Sequence, residues 1–594
     1  MNYKLRIRGN FSTLMFIMLS VGLCMSSISC KNHNSQPKEL LRPAKGGKFY
    51  GGTYRVNENG ELRSLDPVGV NDVTSAHLVE NIYDQLMYFD ENLRLTYELA
   101  TARTISPDGL TYTYSIRPNV FFHDNKCFPN GKGRELTAED VVYSFSRICD
   151  ARTGTLGSEF FRGKVIGASE YYQATQKASA TGGLPVIHGV AGYTAPDKYT
   201  FRIQLIKAFG PFEYMVALNN ACIVPHEAVD CYGKDFFLHP VGTGPFIFDH
   251  WTPDNECLLV RNPSYWKIDS DGNRLPYLDN IQTTFIKDDK VQLLELREGN
   301  LEDSYRIPNE FFTKIVNEKK QLQPEFSKFI LHRIPALSTQ YYGMMTKSNA
   351  FHDKRVRQAF SYAIDRDRII RYVLKGQAFA PCEHGLVPPV MPDYNSASIK
   401  GYYFDLQKAR DLMKQAGYPG GKGFPAITLQ LNSGGGRNTQ IAEAIQTMLI
   451  ENLGITVKLK MVEFAQHLTE IDHGRAEFYR LGWVADYPDP ETFLNLFYGK
   501  DVPATFDIAS PQNGSRYQNP KFDSLFELAR STPDKFQRNV LFAQAEQLAI
   551  NDSPLLLIFH DEDYRLLQPY VRGYNSNSMD KRPYMYVWFD KNAM

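Results

Sequence analysis

Residues 426–461 carry the clearest hydrophobic pattern in the chain. Ile427, Leu429 and Leu431 alternate with polar neighbours, Ile441, Ile445, Met448, Leu449 and Leu453 recur at helical spacing, and Ile455, Val457, Leu459 and Met461 alternate again. The pattern predicts a strand, a helix ended by Gly454 and a second strand, a unit that ordinarily makes a right-handed crossover between parallel strands. Two further helices have legible starts. Thr137 and Asp140 open one bearing Val141, Val142 and Phe145, and Asp405 caps another bearing Leu406, Ala409, Leu412 and Met413 before Gly417. The stretch from Lys177 to Gly192, rich in Ala, Gly, Ser and Thr, reads as an exposed loop. Helix and strand periods mix throughout, which places the chain in the α/β class.

Residues 478–497, FYRLGWVADYPDPETFLNLF, join a strand-like run to a stiff turn. Pro488 and Pro490 fix their own φ and push Tyr487 and Asp489 toward extended geometry. Asp489, Pro490 and Glu491 read as N-cap, first helical position and acidic first turn of a helix carrying Phe493, Leu494 and Phe497. Asp486 is then left without a capping duty, free to receive a cationic group. The alternative is that Asp486 closes the turn or pairs locally, and the local residues by themselves favour it.

Composition narrows the function classes. With 594 residues, 43% hydrophobic and 22% charged, the chain has an ordinary globular profile and room for about three domains. A formal net charge of zero argues against a nucleic-acid binder, which usually shows a basic face. The 35 Tyr and 38 Phe suit a large cavity for amphipathic ligands.

The amino terminus supplies the compartment. Lys4, Arg6 and Arg8 precede the apolar run Phe11–Leu23, then Ser26, Ser27, Ile28, Ser29 and Cys30. A charged start with so short an apolar run is an export signal rather than a spanning helix. It resembles a bacterial lipoprotein signal of residues 1–29 with Cys30 as the lipidated residue, although Ser27 stands where leucine is usual. Simple secretion without lipid is the alternative. Residues 30–48 then read as a flexible tether off a membrane surface. Among the six later cysteines, Cys222 and Cys231 are the preferred local disulfide pair, and none has the C-x-x-C spacing of a zinc or redox site.

Enzyme and metal signatures are weak. The sequence holds no G-x-S-x-G elbow and no H-E-x-x-H pair. His560, Asp561, Glu562 and Asp563 are contiguous, so on a strand they alternate faces, and they read as a solvated edge. Asp269, Asp271 and Asn273 begin like a calcium loop, but Asn280 stands at the twelfth position, so a turn is expected. Gly434, Gly435 and Gly436 lack the lysine and serine of a phosphate loop and read as an ordinary strand-to-helix connection. No catalytic residue, metal ligand or cofactor is expected.

Several segments, in order, match one family: SLDP at 64–67, SPDGLTYTYSIRPNVFFHD at 106–124, LTAEDVVYSFSR at 136–147, VGTGPF at 241–246, RNPSYW at 261–266, the run from Arg355 to Ile370, and LGWVADYPDP at 481–490. The chain resembles the extracellular solute-binding proteins, family 5, of peptide and nickel ABC importers. The resemblance implies a two-lobed periplasmic-binding-protein fold, type II with an extra inserted domain and the ligand cleft between lobes. Lobe I would combine 49–87, 200–335 and 556–594, the inserted small domain would occupy 88–199 and lobe II 336–555.

The resemblance also implies roles for particular residues. Asp486 would bind a peptide's amino group, Arg480 its carboxylate, and Trp483 would line a side-chain pocket, while Gly482 and Val73 would pair with the peptide backbone. Val484 stands where some members have a cysteine, so a disulfide securing this loop is not expected. The implied protein is a monomeric, lipid-anchored receptor in the bacterial envelope. It would pass oligopeptides to the transmembrane subunits of an ABC permease and bind no nucleic acid. The alternatives are an oligosaccharide or metal-chelate binder of the same fold and, further off, a secreted hydrolase.

Overall fold

The computed structural model describes residues 40–594 apart from 305, 434 and 435. The expected signal, Cys30, and Gly434 and Gly435 of the glycine run lie outside the described residues. In chain order, the elements of the first half are β1 (Thr53–Asn57), α1 (Val73–Ile82), β2 (Ala100–Ile105), β3 (Thr111–Ile116), α2 (Ala138–Ile148), α3 (Ala168–Thr181), β4 (Tyr193–Asp197), β5 (Thr200–Gln204), α4 (His226–Tyr232), β6 (Phe246–Thr252), β7 (Glu256–Arg261) and β8 (Asn280–Thr284). The second half contributes β9 (Ile330–Met344), β10 (Ala380–Pro381), β11 (Ile427–Asn432), α5 (Gly436–Leu453), β12 (Val457–Val462), β13 (Phe478–Val484), α6 (Glu491–Leu494), α7 (Pro520–Ser531), α8 (Lys535–Asp552) and β14 (Leu555–Leu567).

Three sheets organise these elements. One has the order β6-β7-β8-β1, with β8 and β1 parallel; a second, wholly antiparallel, has the order β2-β3-β5-β4. A single core joins them, from Tyr54, Leu78 and Ile281 through Phe145 to Tyr114 and Phe201, and the returning carboxy-terminal residues Tyr584 and Phe589 pack into it. The third sheet has six strands in the order β10-β14-β9-β13-β11-β12. It is covered on both faces: Leu429 and Phe478 meet Ile445 and Leu449 of α5 on one, and Tyr341 and Tyr479 share a core with Phe526 and Phe542 on the other. Double coverage explains why Leu555–Phe559 is a continuous apolar run. Strands β9 and β14 are unusually long and pair antiparallel from Ile330↔Leu567 to Gly343↔Leu555, with a register break between Pro335 and Thr339.

The predicted strand, helix, strand unit is β11, α5 and β12, with the two strands parallel in register Ile427↔Val457 to Asn432↔Val462. Helix α2 opens as expected, the Thr137 N–H donating to Asp140 Oδ2 at 2.8 Å, and Asp405 Oδ1 accepts the Lys408 N–H at 2.9 Å. Asp269, Asp271 and Asn273 form a turn in which Asp269 Oδ1 accepts the N–H groups of Asp271 and Asn273, and the Lys48 ammonium lies 2.7 Å from Asp269. Residues 41–48, expected within the tether, rest on this body: Arg42 pairs with Asp279 at 2.6 Å and Arg42 is in register with Tyr50.

Three expectations are corrected. The loop predicted from Lys177 begins later, because α3 continues to Thr181 before Gly182 stops it at φ +68; the alanines that suggested softness also favour helix. His560 to Glu562 are not a solvated edge. Strand β14 lies inside the sheet between β10 and β9, and each polar group finds a partner: His560 with Thr339 and Cys382, Asp561 with Arg437 at 3.1 Å, Glu562 with Lys320 at 2.6 Å and Arg333 at 2.7 Å. Cys222 and Cys231 are not paired. Cys222 is buried beside Gln85 in the first core, whereas α4 carries Cys231 to the surface.

Candidate functional site

Strand β13 leads into the site. It pairs antiparallel with β9 along its whole length, from Met344↔Phe478 to Ser338↔Val484, but with β11 only at Leu429↔Phe478 and Gln430↔Tyr479. Among the described residues, Leu481–Val484 therefore have no strand partner on the β11 side. An unpaired strand edge offers main-chain donors and acceptors to an extended segment. Beyond it the Ala485 N–H donates to Leu337 O at 2.9 Å, and the proline-bounded turn begins.

The turn holds two carboxylates differently. Asp489 Oδ1 accepts the Glu491 N–H at 3.0 Å, which meets the expected capping role, and its other oxygen lies 3.0 Å from Arg538 Nη2 of α8 in a fully enclosed ion pair. Asp486 faces outward. Its Oδ2 accepts a hydrogen bond from the Thr492 hydroxyl at 3.1 Å, and the same hydroxyl oxygen accepts from the Asp486 N–H and from Trp483 Nε1, both at 3.3 Å. Among the described residues Asp486 forms no ion pair. The carboxylate is open to the cavity, yet enough protein surrounds it that lost solvation pushes its pKa up to about 6; the Thr492 bond opposes the rise and the nearby Glu491 charge adds to it.

Trp483, Asp486 and Thr492 form part of the wall of a cavity of about 1030 Å³. Val73 at the start of α1, Phe160, Phe209 and Lys581 line the same cavity. Val73 is exposed at 55%, as the first residue of a helix capped by Asp72, whose Oδ1 accepts the Ser75 N–H at 2.8 Å. Its own N–H therefore lacks an intrahelical partner. Helix α1 is held from behind: His77 lies 2.9 Å from Glu58 and 3.4 Å from Asp580, and although burial and Arg582 oppose it, these carboxylates raise the imidazole to about 9. The cavity has the size of a ligand pocket, and its walls mix aromatic and aliphatic side chains with charged ones, among them Glu159, Arg162, Lys164, Asp501 and Arg530.

Arg480 and Gly482 are not on that wall. Arg480 donates to Gln340 Oε1 and, at 3.3 Å, to Asn432 Oδ1, so these hydrogen-bond partners are neutral, and burial lowers its pKa. Among the described residues it forms no ion pair. Gly482 lies in register with Gln340, whose side-chain amide would be 2.7 Å from any added Cβ, so a larger residue there would displace that amide. Val73, Trp483 and Asp486 are thus brought together, while Arg480 lies farther back along β13. Thr492 was missed by sequence reasoning, since nothing in a one-dimensional pattern says that its hydroxyl reaches back across the turn to two side chains.

Residues 94–504, well over half of the chain, match the family described as bacterial extracellular solute-binding proteins, family 5 Middle. The dipeptide-binding protein of Escherichia coli is 27% identical over 493 residues, covering 81% of this chain and 84% of that protein. The periplasmic oligopeptide-binding protein OppA of Salmonella typhimurium is 26% identical, covering 87% of this chain and 89% of that protein. Among solved structures, the ABC transporter-associated periplasmic binding protein DppA from Helicobacter pylori in complex with peptide STSA superposes with a TM-score of 0.72. It is 27% identical and covers 92% of this chain and 99% of its own. These relatives are binding proteins rather than enzymes. The α/β fold is accordingly the two-lobed periplasmic-binding-protein fold, and the chain belongs to the bacterial extracellular solute-binding proteins of family 5.

Proposed function

We propose that this protein captures short peptides between its two lobes and delivers them to an ABC permease, without covalent chemistry of its own. The observation that carries the reading is the Asp486 carboxylate: it faces the cavity without a cationic partner, fixed by the hydroxyl that also fixes Trp483, and next to an open strand edge. An ionised carboxylate held in a partly desolvated wall is a receptor for a cation. The free edge of Leu481–Val484, Gly482 included, is a receptor for backbone, and together they suit the amino end of an extended chain. Arg480, a half-buried guanidinium whose hydrogen-bond partners are neutral, is the candidate for the peptide carboxylate, because a partly desolvated cation gains from an arriving anion. The dipeptide-binding relative and the peptide-bound solved structure support the ligand class.

In this reading the lobe divisions are 49–87 with 200–335 and 556–594, against 336–555, with 88–199 inserted. The long pair β9 and β14 would act as the crossing between lobes and bend at the register break near Pro335. Export, a lipid on Cys30, attachment to the outer face of a bacterial membrane and a monomeric state complete the proposal. Native mass spectrometry of protein taken from cells is expected to reveal co-purified peptides, and calorimetry to show that acetylating the amino terminus of a bound peptide abolishes its binding. Equal affinity for the acetylated and free peptides would refute the reading.

A further inference from the structure

The loop from Phe121 to Glu135, closed by a bridge between those two residues, folds against α4. Arg134, on its returning arm, pairs with Glu227 of α4 at 2.5 Å and with Asp140 at 2.6 Å. Its outgoing arm is tied to the other end of the same helix: the Tyr232 hydroxyl donates to Asn125 Oδ1 at 2.7 Å, the Cys127 N–H donates to the same oxygen at 3.0 Å, and the Lys126 ammonium lies 5.4 Å from the Tyr232 ring centre. Glu227 and Cys231 are four residues apart, hence on one face of α4. Since Glu227 faces the loop, Cys231 faces it too, where Cys127 lies. Both are free thiols, Cys231 exposed and Cys127 half-buried. Cys149, Cys222, Cys257 and Cys382 are each buried in cores.

We propose that Cys127 and Cys231 form a reversible disulfide that fastens this loop to α4, a modification site independent of the ligand cavity. Cys231, the accessible thiolate, attacks one sulfur of a small disulfide such as oxidised glutathione, forming a mixed disulfide and expelling one thiolate. Cys127 then attacks the Cys231 sulfur, forming the internal S–S bond and expelling the second. Two cysteine thiols are oxidised, the external disulfide is reduced to two thiols, and the cysteine protons pass to the departing thiolates. Burial, then the charges of Cys231 and Glu227, push the Cys127 thiol up to about 11, which suits it to the second, intramolecular step rather than the first.

The full chain, incubated with oxidised glutathione, denatured and alkylated, is expected to lose two alkylatable thiols. Nonreducing peptide mapping should join the fragments containing Cys127 and Cys231. Both signals should vanish in Cys231→Ser, whose exposed side chain the fold does not require, and in Cys127→Ser, and return to the starting state with dithiothreitol. Persistence of both thiols, or a cross-link that maps to another pair, would overturn the proposal.

Discussion

Asp486 and Asp489 sit three residues apart on one turn and have opposite fates. Asp489 is enclosed, accepts a backbone N–H and has a guanidinium at 3.0 Å; Asp486 has a hydroxyl and an open cavity. The first carboxylate has its charge answered within the fold. The second holds a charge that the fold desolvates but does not neutralise, and a raised carboxyl pKa at a cleft wall marks a candidate binding group. The difference separates the residue that builds the turn from the residue the turn presents.

The contrast is broken most severely from the Asp489 side. Arg538→Leu strands a buried carboxylate, and removal of one member of such a pair costs about 3 to 5 kcal/mol. Chemical denaturation should show that loss, with peptide binding failing only as the fold does. Asp486→Asn is expected to do the reverse. Affinity for a peptide with a free amino terminus should fall on the order of a hundredfold by calorimetry, about 3 kcal/mol, while the fold persists.

The pH response sharpens the same point. Only the carboxylate form of Asp486 attracts an ammonium, and its pKa in the empty cavity is about 6. Affinity should therefore be greatest near pH 7, be about halved at pH 6 and fall about tenfold per unit below that, a dependence that Asp486→Asn removes. Stability runs in the opposite sense. Because the folded pKa is raised above its ordinary value, the empty wild type loses stability as pH rises from about 4 to about 6, so the asparagine variant should unfold later than wild type at pH 7 and equally at pH 3. The smallest effect is expected of Thr492→Val. Losing one hydroxyl costs about 1 kcal/mol of affinity, roughly fivefold, and removes the bond that holds the Asp486 pKa down, so the midpoint of the pH profile should move upward.

Much of the fold is legible in the chain because its causes are local. The alternation in 427–431 and 457–461, the spacing from Ile441 to Leu453 and the caps at Thr137 and Asp405 each act within a few residues, and β11, α5, β12, α2 and the helix after Asp405 follow them. The segment 560–563 misled for the same reason. Four polar residues in a row imply solvent only if no partners arrive from elsewhere, and here Cys382, Arg437, Lys320 and Arg333 come from distant parts of the chain to an interior strand. The Cys222 and Cys231 expectation rested on proximity along the chain, which α4 overrides by turning one thiol out while the other stays in the core.

At the site, the stiffness of the turn could be read from the chain, since Pro488 and Pro490 restrict their neighbours wherever the segment is placed. Which carboxylate would stay unanswered could not. That depends on Arg538, contributed by a helix 49 positions later, and on a threonine hydroxyl that folds back over the turn. Backbone stiffness is a short-range property and is written in the sequence; the balance of charge around a carboxylate depends on which distant groups packing brings within a few ångströms, and only the tertiary structure decides it.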